Sequence, residues 1–483
     1  MYKNKLIHLL CTFSRKEMTR FREFVESPYF NKHQDVRNLV AYLSEIYPRL
    51  DEDRCDRRNL FQQLYPGKPH DQNRLAVIFS YTQRLAEQFL SVEQAGEDPL
   101  AGQLYLLRHL RRRKYYRLYE KELQRLASEM EALPSGAVSA PYRRFRFAEE
   151  ADQYFNQIER RQEDWHIQEK QNQLERFFLA EKLRDACEMR VRSKILKVTY
   201  QPGMLKAVLE EVRRNRRVYA GAPAVIVYYQ LYQMLVQNEQ DYYFKALEIF
   251  KDYEKDFPSS ERETIYNLLQ NYCIEQINRG RPRFLREIFE LYKAQLEQGL
   301  LLEEGYLSEW HYKNIVTTGI RLHALEWVKN FIESYRETLR PESRENAYRF
   351  NLASYYYAAG SYEQVLNLLI RVEYSDLRYN LGAKALLLRT YYDLEEYEAL
   401  NALTESFRQY IQRNKLLADS RREGYYNLFK LTRRAAYLRI NGGYFSAEKR
   451  KRELQKLRAA IERESAIFNK TWLEEKVREL KQG

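Results

Sequence analysis

Apolar residues along this chain recur at intervals of three and four far more than they alternate, and that spacing predicts helices nearly from end to end. Met18, Phe21, Phe24 and Val25 share one face of a helix that Ser14 and Glu17 open as a capping box and Ser27-Pro28 closes. Val36, Leu39, Val40, Leu43 and Ile46 predict a second amphipathic helix ending near Pro48, and Leu60, Phe61 and Leu64 a short third that stops at Pro66-Gly67. A fourth starts after Asp71, an N-cap residue, and lays Leu75, Ile78, Phe79, Leu85, Phe89 and Leu90 along its buried side. Together these make residues 1–95 an N-terminal helical domain.

Residues 96–203 read as a region of long helices. One basic helix is predicted over 100–133, with Leu100, Leu104, Leu107 and Leu118 on a common side. After the loop Pro134–Pro141, a second segment from Tyr142 to Val198 carries Tyr154, Ile158, Trp165, Leu174, Phe177, Phe178 and Leu183 and ends before Pro202-Gly203. Only the ends of Val92–Ala101 and Leu133–Ala140 read as loose, with a loop around Gly96–Pro99 before the basic helix. From 204 to 483, helices alternate with short breaks at Gly221-Ala222-Pro223, Pro258, Gly280–Pro282, Gly299, Pro341, Gly360 and Gly442-Gly443. The expected class is all-α.

Composition sharpens this picture. The chain has 41 tyrosines against 23 phenylalanines, with only 16 glycines and 12 prolines in 483 residues. Tyrosine suits positions where one end of the ring is packed and the other wet, as in a thin layered stack of helices. The length exceeds the roughly 250–300 residues at which single cores stop growing, so several domains or an extended stack are expected. Net charge is +13, and arginine supplies 54 of the 81 basic residues. Arginine on outer helix faces explains most of that; an anionic partner is the other reading.

Cys11, Cys55, Cys187 and Cys273 form no CxxC pair and read as free thiols of a reducing compartment. Lys3 and Lys5 before Leu6–Phe13 have the superficial form of a secretion signal, but His8 interrupts the run and no small-residue cleavage site follows. No run reaches the roughly 18–20 apolar residues of a membrane span. A cytoplasmic location and no membrane span are expected.

Internal periodicity bears most on function. Leu352-Ala353, Tyr356, Gly360 and Tyr362 resemble the tetratricopeptide pattern, and thirty-five residues later Leu387-Leu388, Tyr391, Glu395 and Tyr397 follow it, with Leu388 in place of the small residue and Glu395 in place of glycine. Tyr243, Ala246, Phe250 and Pro258 match its second-helix half, and Gly442, Tyr444 and Ala447 match it loosely. The resemblance implies a degenerate tetratricopeptide-like α-solenoid over 204–483. Ser27-Pro28-Tyr29-Phe30-Asn31-Lys32, Leu64-Tyr65-Pro66-Gly67 and Glu181-Lys182-Leu183 resemble an uncharacterised family of bacterial repeat proteins, a likeness that carries no activity.

No phosphate-binding glycine loop, nucleophile elbow or HExxH pair occurs, and the seven histidines have no short spacing to the cysteines, so no cofactor or metal is expected. His311 and His323 read as partly buried helix residues. Two candidate surfaces remain. In tetratricopeptide proteins the first helix of each pair lines a groove, which carries over here to Asn351, Ser354 and Tyr357, with Arg389 and Tyr392 in the next repeat. The second surface is basic with aromatic neighbours: Arg108, Arg111, Arg112 and Arg113 beside Tyr115 and Tyr116, and Arg213, Arg214, Arg216 and Arg217 beside Tyr219. The expected function is a non-enzymatic scaffold that binds a protein or peptide in the groove. The alternative is a nucleic-acid-associated regulator using the basic clusters. An enzyme is the third reading, and self-association fits the exposed tyrosine and arginine.

Overall fold

The computed structural model describes residues 4–51, 54–158, 166–196, 198–369, 377–413 and 419–482. Trp165 lies outside them. The described residues are all-α: they form twenty-three α-helices, two single-turn 3-10 segments and one ribbon of two-residue strands. The chain divides into two compact units, Met1–Lys182 and Leu183–Gly483.

The first unit opens with α1 (Lys5–Leu10), α2 (Arg15–Glu26), α3 (Gln34–Ile46), α4 (Arg57–Leu64) and α5 (Gln72–Gly96). The apolar run after Lys5 is α1, whose Leu6, Ile7 and Leu10 are buried in one core with Phe21, Val25, Leu39, Leu43, Leu60 and Phe89. Ser14 and Glu17 form the expected capping box on α2. The turn after α2 is locked by the buried Asn31 side chain, which donates to Val25 O at 3.0 Å and accepts from His33 N at 2.8 Å, while Phe30 stacks on Phe24. The second turn is held likewise: Tyr65 donates to Asp35, and Arg74 pairs with Asp35 at 3.0 Å while lying 4.1 Å over the Tyr65 ring.

α6 (Pro99–Arg112), α7 (Tyr116–Glu131) and α8 (Ser139–Gln157) follow, and α9 (His166–Leu196) begins in this unit. The single helix expected over 100–133 is two. Lys114 takes φ 57° between them, and the fold-back lets Leu104, Leu107, Leu110, Tyr119, Leu126 and Met130 share one core with Tyr154. A straight helix would have left those stripes without each other. The loop expected around Gly96–Pro99 is there and short: only Glu97 and Asp98 separate α5 from α6, and Asp98 caps Ala101 N.

The second unit contains the end of α9, then α10 (Leu205–Arg214), α11 (Pro223–Gln237), α12 (Gln240–Tyr253), α13 (Ser259–Asn278), α14 (Phe284–Glu297), the ribbon β1 (Leu302–Glu303) and β2 (Tyr306–Leu307), α15 (Glu309–Arg321), α16 (Leu325–Ser334), α17 (Pro341–Ala358), α18 (Tyr362–Leu369), α19 (Leu377–Asp393), α20 (Tyr397–Arg413), α21 (Asp419–Asn441), α22 (Ala447–Arg463) and α23 (Lys470–Gln482). Neighbouring helices pack as the pairs α11/α12, α13/α14, α15/α16, α17/α18, α19/α20 and α21/α22. First helices also meet across pairs: α11 touches α13, α15 touches α17, α17 touches α19, and α19 touches α21.

Five consecutive pairs reverse through one residue in the left-handed region: Asn238, Gly280, His323, Gly360 and Glu395, with φ of 56°, 79°, 56°, 76° and 63°. In four of them the next amide reaches back five residues to close a Schellman turn: Arg281 N to Gln276 O, Ala324 N to Gly319 O, Ser361 N to Tyr356 O and Glu396 N to Tyr391 O, at 2.9–3.0 Å. Only two of the five positions carry the glycine that such a backbone favours. Gly360→Ala is therefore expected to lose about 1 kcal/mol and His323→Gly to gain up to about 1 kcal/mol in urea unfolding of the full chain. Equal midpoints for both variants and the parent would contradict a left-handed turn at these positions.

Candidate functional site

The residues carried over from the tetratricopeptide pattern lie on α17 and α19. Asn351 is buried and donates to Ala347 O at 2.8 Å, one turn back along its own helix. Ser354 does the same toward Phe350 O at 2.9 Å. The other three come together, but around α23. Tyr357 donates to Asp393 at 2.5 Å, and the Arg389 guanidinium lies 4.1 Å over the Tyr357 ring and 5.4 Å over Trp472. Tyr392 meets the Trp472 ring edge to face, and Lys476 pairs with Asp393 at 3.0 Å. Asn351 and Tyr392 are buried, while Ser354, Tyr357 and Arg389 are half-buried, and all five make contacts within the chain. Two side chains serve their own helix, and three hold the chain's last helix in place.

The Asp393–Lys476 pair is largely shielded from water, with side-chain exposures of 4% and 18%. Burial alone would lower the Lys476 ammonium, but its hydrogen bonds to Asp393 and Glu479 outweigh that and raise it above the ordinary lysine value. Tyr357, half-buried, is pushed up out of the ordinary tyrosine range by the desolvation of its phenol and by Asp393 beside it. The cluster is a latch: an acid, a cation and a phenol that satisfy one another.

The basic clusters are similarly engaged. Arg111, only 14% exposed, clamps the buried Glu150 at 2.6 Å and Gln153 at 2.5 Å, and Arg108 approaches Glu150 at 3.7 Å. Arg112 and Arg113 stay exposed at the end of α6. Arg213 and Arg214 both bond Glu210, at 2.8 and 2.5 Å, and hold its carboxyl down to about 2. Arg216 and Arg217 are exposed beyond α10. In each cluster, two of the four arginines are therefore engaged within the chain, sharing one carboxylate.

A different surface is open. The last turns of α9 and the second half of α13, with Leu235 of α11, enclose a groove of about 430 Å³. Tyr272 and Leu235 are its buried lining, while Ile195 and Ile274 are 72% and 42% exposed at its mouth. Arg190, Lys194 and Arg279 edge it against the single acid Glu275, which Lys194 bridges from α9 at 2.7 Å and Arg279 bonds from its own helix at 2.6 Å. In sequence, Ile195 and Ile274 were indistinguishable from core residues, because helical spacing says which face is apolar and not whether that face is covered.

No protein-family model, curated protein or solved structure matches this chain. Among the described residues, no group of three or more His, Cys, Asp and Glu side chains is placed to hold a metal ion. None of the described helices is long and apolar enough to cross a membrane.

Two expectations follow. Lys476→Met should cost about 2 kcal/mol, since it leaves a shielded carboxylate without its cation. A raised lysine contributes fully below its unfolded value and fades as pH rises through the folded one, so that loss should persist to about pH 10.4 and shrink only above it. A difference from the parent that disappears near neutrality would contradict the latch. Burial raises the Cys273 thiol to about 12, the Cys55 thiol to about 11, and Cys187 further still, whereas Cys11 is exposed. Disulfide-reagent titration at pH 8 should find one fast thiol, lost in Cys11→Ser, with Cys187 and Cys273 reacting only on unfolding.

Proposed function

We propose that this chain is a tetratricopeptide-like helical-repeat protein whose task is to hold a partner protein, and that the contact is the α9–α13 groove rather than the α17–α19 face. The repeat reading draws support from the five left-handed reversals, which fall 42, 43, 37 and 35 residues apart, within the roughly 34–47 residues usual for helical repeats. The observation that carries the functional reading is the groove itself: two large aliphatic side chains stand in water at its mouth over an apolar floor. Isolated exposed apolar residues need no explanation, whereas a concave apolar site does.

Its chemistry selects the occupant. A helix laid between α9 and α13 would bury its apolar stripe against Ile195, Leu235, Tyr272 and Ile274, the helix-in-groove mode of recognition. Three cations against one acid at the edge favour acidic residues flanking that stripe. The partner is therefore an amphipathic helix with acidic flanks, borne by another protein. Nothing in this reading calls for a reaction, and the function stays in the binding class.

A photo-crosslinking amino acid at position 195, introduced into the full chain in its source cells, tests it. One dominant protein adduct is expected, abolished by Ile274→Asp and weakened at least tenfold by Arg190→Glu. The acidic segment of that partner, made as a peptide, should bind the purified chain and lose affinity when its acids become amides. Adducts indifferent to both substitutions would overturn the reading.

A further inference from the structure

We infer that the outer face of α21 and α22 is a second, independent binding surface, and that its ligand is single-stranded nucleic acid. The segment Asp419–Arg463 carries thirteen Lys and Arg against five Asp and Glu, so it holds +8 of the chain's +13. Charge alone would be a solvated helix face. The arrangement of rings makes it more.

Along α21 the exposed residues Tyr426, Lys430, Arg433, Tyr437 and Ile440 follow one another at intervals of four and three, a single stripe on one side of the helix. Tyr426 and Tyr437 are 41% and 55% exposed, and Tyr444, just past the helix end, is 89% exposed. The stripe continues into α22 through contacts: the Tyr437 ring lies 6.2 Å from Phe445, and Lys449 stands 4.1 Å over Phe445. Rings and cations thus share one stripe from Tyr426, with Lys430 at 6.0 Å from its ring, to Lys449.

The acids near the stripe do not cancel it. Glu405 of α20 is shared between Arg408 at 3.9 Å and Arg433 at 3.6 Å, and Glu453 between Arg434 at 3.4 Å and Lys456 at 2.7 Å. Arg439 spends its charge on Glu395 at 2.6 Å. Glu423, Glu448 and Glu462 are the remaining acids of these two helices with exposed side chains. Lys430, Lys451, Arg452 and Arg458 have no carboxylate within 4 Å among the described residues.

This is the composition of a strand-tracking surface. Cations neutralise phosphates, and open aromatic faces stack on bases whatever their sequence. Paired bases hide their faces inside the duplex, so exposed tyrosines add affinity only to unpaired strands. Tyr426 and Tyr437 stand about 16 Å apart along the helix at 1.5 Å per residue, with Lys430 and Arg433 between them. A strand lying along α21 meets ring, cation, cation and ring in that order. None of these residues belongs to the α9–α13 groove.

The test is fluorescence anisotropy of the full chain with a labelled 20-nucleotide oligo-dT, the matching oligo-U, and a 20-base-pair duplex, over 50 to 200 mM salt. Both single strands should bind, at least tenfold tighter than the duplex at the higher salt. Tyr426→Ala with Tyr437→Ala should weaken single-strand binding at least tenfold, while Tyr426→Phe with Tyr437→Phe retains it within threefold. Lys430→Gln with Arg452→Gln should reduce the log–log salt slope by about 1.4, at about 0.7 per phosphate contact. Circular dichroism melts of each variant keep misfolding separate from lost contact. The inference is overturned if the parent binds no single strand, if the Ala pair binds as the parent does, or if duplex and vesicles with anionic lipid bind as tightly as oligo-dT.

Discussion

A single residue held at positive φ reverses the chain between the two helices in five consecutive pairs, from α11/α12 to α19/α20, and the packing of that stretch follows from where those reversals fall. With the reversal fixed, the second helix returns along the first, and the next first helix settles beside its predecessor, as α13 does on α11. Leu235 near the end of α11 and Tyr272 on α13 thereby become the floor of one groove. The reversal costs a side-chain-bearing residue about 1–2 kcal/mol. The Schellman hydrogen bonds that follow it supply part of the compensation, by satisfying carbonyls at the helix end.

That compensation explains what the sequence showed and what it hid. At Gly360 the turn falls inside the stretch that resembles the tetratricopeptide pattern, and Glu395 is legible only because the residues around it repeat that stretch; Gly280, Asn238 and His323 adopt the same backbone without those flanking residues. Helix positions in residues 1–95 were legible because caps and prolines mark their ends, down to the capping box at Ser14. The break at Lys114 was not. Its flanks have neither proline nor glycine, and the helix ends there because tertiary packing around Tyr154 outweighs local propensity.

Electrostatics were harder to read than fold. A run such as Arg111–Arg113 looks uniformly basic in one dimension, yet Arg111 is folded inward onto Glu150, thirty-nine residues away, while its neighbours stay in water. Arg389 and Tyr392 have the chemistry to touch another molecule, and here they spend part of it on the chain's own Trp472. What distinguishes α21 is a stripe on which rings and cations stay on the same exposed side. The groove at α9 and α13 was invisible for the opposite reason, since Ile195 and Ile274 carry no charge or motif to mark them.

The most direct measurement is hydrogen–deuterium exchange of the full chain, free and saturated with the protein captured through position 195. Binding in the groove predicts slowed exchange confined to peptides spanning 186–196 and 268–279, with α17 and α19 unchanged. Protection on α17 and α19 with release of α23, or no protection around Ile195 and Ile274, would contradict it.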